Sequence, residues 1–275
     1  MSCRPFPATA RTRTGVVPAS AAALLSAGAM LPAPAVAAAP VTSPRATAAV
    51  LDLDADRTPV VRGADSAYDT ASIVKVDILA ALLLRAQDAG RQLTAEERGH
   101  AEPMIKRSDN TAADALWRKI GRASGLATAN KRLGLSSTTG GSAGKWGLTR
   151  TTASDQIRLL RAVFEGDTTT QPGTPSTPLG ATALNARSRA YVRSLMGQVV
   201  PEQTWGVSAA DSSGSSPALK NGWLQRTTSG LWDVNSVGQV TVKGHRYLVA
   251  VLSNGSASMS DGISLVERTA RQAVA

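Results

Sequence analysis

Ser72-Ile73-Val74-Lys75 is the stretch from which the rest of this chain can be read. Apolar residues recur after it at Val76, Leu79, Leu83 and Ala86, a spacing that predicts a helix from about Ser72 to Ala89, ended by Gly90. Residues three apart share a helix face, so the spacing sets an amine beside a hydroxyl. A serine hydroxyl is a poor nucleophile until a base takes its proton. Lysine can be that base only if burial or a neighbouring cation lowers its pKa; otherwise it acts electrostatically while another group takes the proton. Val74, Val76 and Ile78 make the neighbourhood apolar, which suits a buried Lys75. Taken alone, the same four residues read equally well as a helix-capping serine and a surface lysine.

Two further triplets follow in order. Ser108-Asp109-Asn110 falls between two expected helices. Thr94 with Glu97 forms a capping box that opens the first, which runs to about Lys106. The second spans Thr111 to Ile120, with Asn110 as its expected N-cap. Ser108 can relay a proton towards a leaving nitrogen, and Asn110 can bind Lys75 or a substrate amide. Asp109 is expected to turn inward and hold the loop. An ordinary capping turn is the alternative. Lys220-Asn221-Gly222 lies on an expected strand, Ala218 to Trp223, where Gly222 lets a substrate backbone approach closely. The bland alternative there is an exposed lysine on an edge strand.

The remaining pattern segregates. Ala46 to Leu53 reads as a strand, with Val60-Val61 starting its hairpin partner across a turn at Asp54-Ala55-Asp56. A short helix is expected over Leu126 to Arg132, a Ser/Thr/Gly-rich loop over Ser136 to Gly147, and a helix from Thr151 or Thr152 to Phe164. Gly166 to Gly180 is Thr/Pro/Gly-rich and reads as a surface loop. A helix over Asn185 to Met196, a loop over Ala209 to Pro217, strands over Leu231 to Val237 and Tyr247 to Leu252, and a helix from Asp261 to about Ala273 close the chain. Strands at both ends and helices between them argue an α+β fold.

In this order and these settings, the three motifs resemble those of the active-site serine penicillin-binding proteins and class A β-lactamases. The resemblance runs from about Ala46 to the C-terminus. It implies a β-lactamase-like topology: an antiparallel sheet built from both chain ends, packed on helices, with an all-helical lobe inserted. It implies an acyl-enzyme on Ser72, with Lys75 and Ser108 as its catalytic partners. Substrate binding falls to Asn110, Lys220, Asn221 and Gly222, and the oxyanion hole to the backbone N–H groups of Ser72 and Trp223. The implied substrates are β-lactams, D-Ala-D-Ala-type peptides or simple esters, with Lys220 attracting the carboxylate that the first two share. No cofactor and no metal is implied.

Two departures stand out. Asn221 replaces the usual Thr or Ser and can still bond a carboxylate, with a different reach. Class A enzymes also carry a glutamate ahead of a Thr-Thr helix, and it activates the deacylating water. Thr151-Thr152 looks like that landmark, yet no Asp or Glu lies between Gly134 and Arg150, where Lys145-Trp146-Gly147 stands instead. The acylation set is present and the class A deacylation base is absent. Glu202 and Asp211 are remote substitutes, and Trp146 and Trp205 are cleft or core residues. The departures motivate an alternative from another class, a ligand-binding protein that uses the same cleft without turnover. A purely structural cell-wall protein rests on charge and leader alone.

Residues 1–37 read as a secretory signal peptide: Arg4, Arg11 and Arg13 precede an apolar stretch that ends at Ala35-Val36-Ala37. Pro18, Pro32 and Pro34 argue against a membrane-spanning helix there. Residues 38–275 are then a single catalytic domain, secreted and expected to be a monomer. Cys3, the one cysteine, precedes the apolar stretch, which argues against a lipid anchor and leaves the mature chain no thiol. His100 and His245 are the two histidines, too few for a histidine metal cluster. The formal charge is +10, and +7 once the three leader arginines are gone. Its basic residues are scattered, with 4% aromatics, which argues against nucleic acid and for an anionic cell wall as partner.

Overall fold

The computed structural model describes residues 43–55, 58–165, 183–214 and 217–275. The expected signal segment, the Gly166–Gly180 loop and part of the Ala209–Pro217 loop lie outside the described residues. The strands β1 (Arg45–Asp52), β2 (Val60–Arg62), β5 (Ala218–Gln225), β6 (Trp232–Val242) and β7 (His245–Ser256) form one sheet in the order β2-β1-β7-β6-β5, antiparallel throughout. The first strand thus pairs with the last across the whole chain length. Strand period splits the β1 side chains: Ala48 and Val50 join one core cluster, Ala49 and Leu51 the other. Helix α7 (Met259–Ala273) covers the first face, and α1 (Val74–Asp88) and α5 (Ala153–Phe164) lie in the second cluster. β6 and β7 meet at Lys243-Gly244, both with positive φ, the two-residue turn whose twist suits a hairpin. Both strands therefore run longer than their hydrophobic pattern suggests.

Helices α2 (Ala95–Lys106), α3 (Asn110–Ile120), α4 (Arg122–Leu133) and α6 (Ala186–Met196) pack around α1. The Thr94–Glu97 capping box forms as its spacing predicts, with Thr94 Oγ1 accepting from Glu97 N at 3.1 Å and Glu97 Oε2 accepting from Thr94 N at 2.8 Å. Helix α4 starts four residues ahead of its expected start, because Gly121 in the left-handed region ends α3 and opens α4 directly. Helix α1 shows more than one apolar face. It is buried nearly all round because α2, α3, α4 and α6 surround it.

That burial encloses Asp77. The Gln156 side chain approaches its carboxyl group, yet neither oxygen completes a hydrogen bond of good geometry among the described residues. Burial, with the Asp155 charge adding to it, pushes the Asp77 carboxyl up to about 7. The folded state thus holds a proton that the unfolded chain gives up near its ordinary value of 3.8. Stability from this group is present below that value and is lost as pH rises towards 7. Asp77→Asn is therefore expected to stabilise the fold at neutral and higher pH, by at most roughly 4 kcal/mol, and to change little in acid. Paired thermal melts across that range check it; a difference that does not grow with pH would count against it.

Candidate active site

Two short strands, β3 (Tyr68–Asp69) and β4 (Arg150–Thr151), clip the chain just ahead of Ser72, and Thr70 N donates to Thr149 O at 2.8 Å. Asn235 on β6 completes the clip. Its Nδ2 donates to Asp69 O and Thr70 O at 2.9 and 3.1 Å, and its Oδ1 accepts from Ser253 N at 3.0 Å. A polar residue between Val234 and Val237, inside an expected strand, was the sequence signal for this role. Ser72 itself sits in a 3-10 turn, Ala71–Ile73, that leads into α1 rather than in the α-helix proper. Ala71 before it has φ 46° and Ser108 has φ 56°. Left-handed backbone of this kind costs a non-glycine residue about 1–2 kcal/mol, so both turns are held against their own preference.

Lys75 is fully buried. Its Nζ lies 3.0 Å from Ser72 Oγ, 3.0 Å from Ser108 Oγ, 2.7 Å from Ser108 O and 2.8 Å from Asn110 Oδ1. The carbonyl oxygens of Ser108 and Asn110 can only accept, so they take two N–H groups. A neutral amine then turns its lone pair to the hydroxyls and can accept the Ser72 proton. Burial lowers the Lys75 pKa to about 7, against the opposing pull of Asp109 and Asp114, so the neutral form is accessible.

Lys220 is fully buried too. Its Nζ donates to Ser108 Oγ at 3.0 Å and to Asn221 O at 2.7 Å. Burial first, and the Lys75 charge second, hold its pKa well below the ordinary lysine range. The lysine expected to attract a carboxylate is thus an enclosed amine in contact with Ser108. An arriving anion would favour its charged form.

Asn221 is not part of this cluster. Alternation along β5 turns it to the other face of the strand, where Nδ2 donates to Gln203 O and Trp205 O, both at 2.9 Å. Gly222 does permit a close approach, though of a different partner from the expected substrate. A Cβ there would stand 2.7 Å from Ser72 N and Thr70 O and 2.8 Å from Ile73 N. Its bare backbone lets β5, at the sheet edge, lie against the Ser72 turn, which brings the Trp223 residue next to it alongside. Gly222→Ala is expected to cost about 1–3 kcal/mol and to slow any Ser72 chemistry by spreading strand and turn. Thermal melts and labelling rates check it; a variant as stable and as fast as the parent would contradict the close packing.

Asp109, not Asn110, caps α3, since Asp109 Oδ1 accepts from Ala112 N at 2.7 Å. The helix starts one residue earlier than expected, which frees the Asn110 amide for Lys75. Trp146 is half-buried on a 3-10 turn, Trp146–Leu148, with its ring centroid 4.7 Å from Lys75 Nζ. Its Nε1 donates to Asp114 Oδ1 at 2.7 Å. Asp114, a lone acid on an exposed helix face, carries one sequence signal, its place one turn after Asn110. Trp205 packs on Trp223, with ring centroids 5.8 Å apart. Asp211 is taken by Ser213 N and Thr241 N, at 2.8 and 2.7 Å, and Glu202 is exposed. His245 Nδ1 lies 3.2 Å from Asp52 Oδ2, by the β6–β7 turn.

A cavity of about 410 Å³ opens beside Trp146, between its turn and the end of β5, lined by Lys145, Leu224, Gln225 and Arg226 among others. A larger one, about 590 Å³, lies between α1, α2 and α6 and contains none of the motif residues.

Residues 89–275 match the family described as "Beta-lactamase enzyme family", a span that begins after Ser72 and Lys75. Among curated proteins, the chain is similar to "Putative lipoprotein LppW" of Mycobacterium tuberculosis, 32% identical over 97 residues, 35% of this chain and 31% of that protein. The stretch shared with this relative is thus about a third of its length. Among solved structures, an acyl-enzyme complex of a PBP-A mutant with penicillin-G is 22% identical over 83% of this chain and 88% of that one, with a TM-score of 0.65. A β-lactamase from Chitinophaga pinensis DSM 2588 is 16% identical over 82% and 92%, with a TM-score of 0.66. At these identities the two structures speak for the fold.

Proposed function

This chain belongs to the beta-lactamase enzyme family, and from that premise we propose that it is a serine hydrolase acylated on Ser72. Its substrates in this reading are β-lactams or D-Ala-D-Ala-type peptides. The observation that carries it is the Lys75 amine, 3.0 Å from Ser72 Oγ and held by Ser108 and Asn110. As substrate enters, neutral Lys75 takes the Ser72 proton while Oγ attacks the carbonyl carbon. The oxyanion turns to the Ser72 and Trp223 N–H groups. The proton then passes from Lys75 through Ser108 Oγ, 3.0 Å away, to the leaving nitrogen. Lys220, on the other side of the same hydroxyl, supplies positive charge for a substrate carboxylate. In the same reading residues 1–37 direct export; the lipoprotein name of the mycobacterial relative supports that route.

Rapid mixing with a chromogenic cephalosporin, followed by intact-mass spectrometry, tests the proposal. The expected result is a burst of about one equivalent and a Ser72 adduct, then slow turnover. With no carboxylate between Gly134 and Arg150, the acyl-enzyme should be long-lived. Fast steady turnover without a burst would overturn the slow-deacylation part of the reading. Reversible binding with no adduct would favour the non-turnover ligand-binding protein instead.

A further inference from the structure

We propose that Asp114 is the general base for the slow hydrolysis of the acyl-enzyme, a part that helix α3 supplies here in place of a loop glutamate. The inference deepens the reading above and rests on it.

Asn110 and Asp114 stand four residues apart on α3, so their side chains leave one face with Cβ atoms about 5–6 Å apart. Asn110 Oδ1 touches Lys75 Nζ at 2.8 Å, which puts Asp114 one helical turn from the reacting cluster. The Lys75 amine responds to the Asp114 charge, so the two groups lie within electrostatic reach. Trp146 fixes the direction. Its ring lies over Lys75 and its Nε1 grips Asp114 Oδ1, while Asp114 stays exposed and leaves Oδ2 for water. The other acid that Lys75 senses, Asp109, is committed to its cap.

In the step itself, a water held by Asp114 loses a proton to the carboxylate as its oxygen bonds to the ester carbon. The carbonyl electrons move to the oxyanion. When they return, the carbon–Oγ bond breaks, and the proton held by Asp114 passes through solvent and the neutral Lys75 amine to Ser72 Oγ. Water has added across the ester, and both side chains regain their starting states.

The test uses the full chain and the same chromogenic cephalosporin. Asp114→Asn keeps an acceptor for Trp146 Nε1 but cannot take a proton. It should leave the burst intact and slow the second phase about 100-fold or more. Asp114→Ala should be equally slow, with formate partly restoring its rate, because a small carboxylate can replace the lost base. A second phase in Asp114→Asn that matches the parent would overturn the proposal and leave Asp114 a mere support for Trp146. Absence of any Ser72 adduct in the parent chain would overturn the acylation reading, and this role with it.

Discussion

Ser72→Ala is expected to abolish covalent labelling by a fluorescent penicillin or a fluorophosphonate while the fold melts as before. The change deletes one hydroxyl from a turn whose backbone is held independently, by Asn235, by the Thr70–Thr149 bond and by Gly222. Among the described residues the hydroxyl's hydrogen-bond partner is Lys75, which keeps Ser108 and Asn110. Among the described residues no other hydroxyl is so placed against the amine except Ser108 Oγ, and that one is shared with Lys220. Labelling at the parent rate would move the nucleophile elsewhere, with Ser108 the first residue to examine.

Lys75→Ala should slow acylation by about 10²–10⁴-fold, the usual worth of a positioned base. The pH dependence separates the base from mere charge. With the amine near 7, its neutral fraction rises with pH, so acylation should climb through about 7 and then level off. Lys75→Arg keeps a cation that never gives up its proton. It should be as slow as the alanine variant and show no such climb. Stopped-flow labelling over the pH range that brackets 7 checks both claims. An arginine variant that acylates at the parent rate would show that Lys75 acts by charge, with the proton going to another group.

Much of this was legible in the sequence, for reasons that are local. The Ser72–Lys75 contact follows from helical spacing, and the Thr94–Glu97 box from a four-residue rule. The sheet built from both chain ends was legible only through the resemblance, because pairing β1 with β7 joins residues some two hundred positions apart. Nothing in local pattern encodes such a contact. The boundaries that shifted, at α3 and α4, did so where a cap or a left-handed glycine could be used in two ways.

The sequence by itself determined the chemistry on offer: a serine, two lysines, a serine–aspartate–asparagine turn, and no loop carboxylate between Gly134 and Arg150. Tertiary structure decided what each group does with it. Packing on all sides of α1 took Lys75 and Asp77 out of water, and that burial, not spacing, brings an amine and a carboxyl group both to about 7. Strand alternation sent Lys220 into the cluster and Asn221 away from it, although they are neighbours in the chain. The meeting of α3 with the Trp146 turn delivered Asp114 to the edge of the site. Desolvation and facing are properties of the assembled layers, since each depends on atoms that approach from distant parts of the chain.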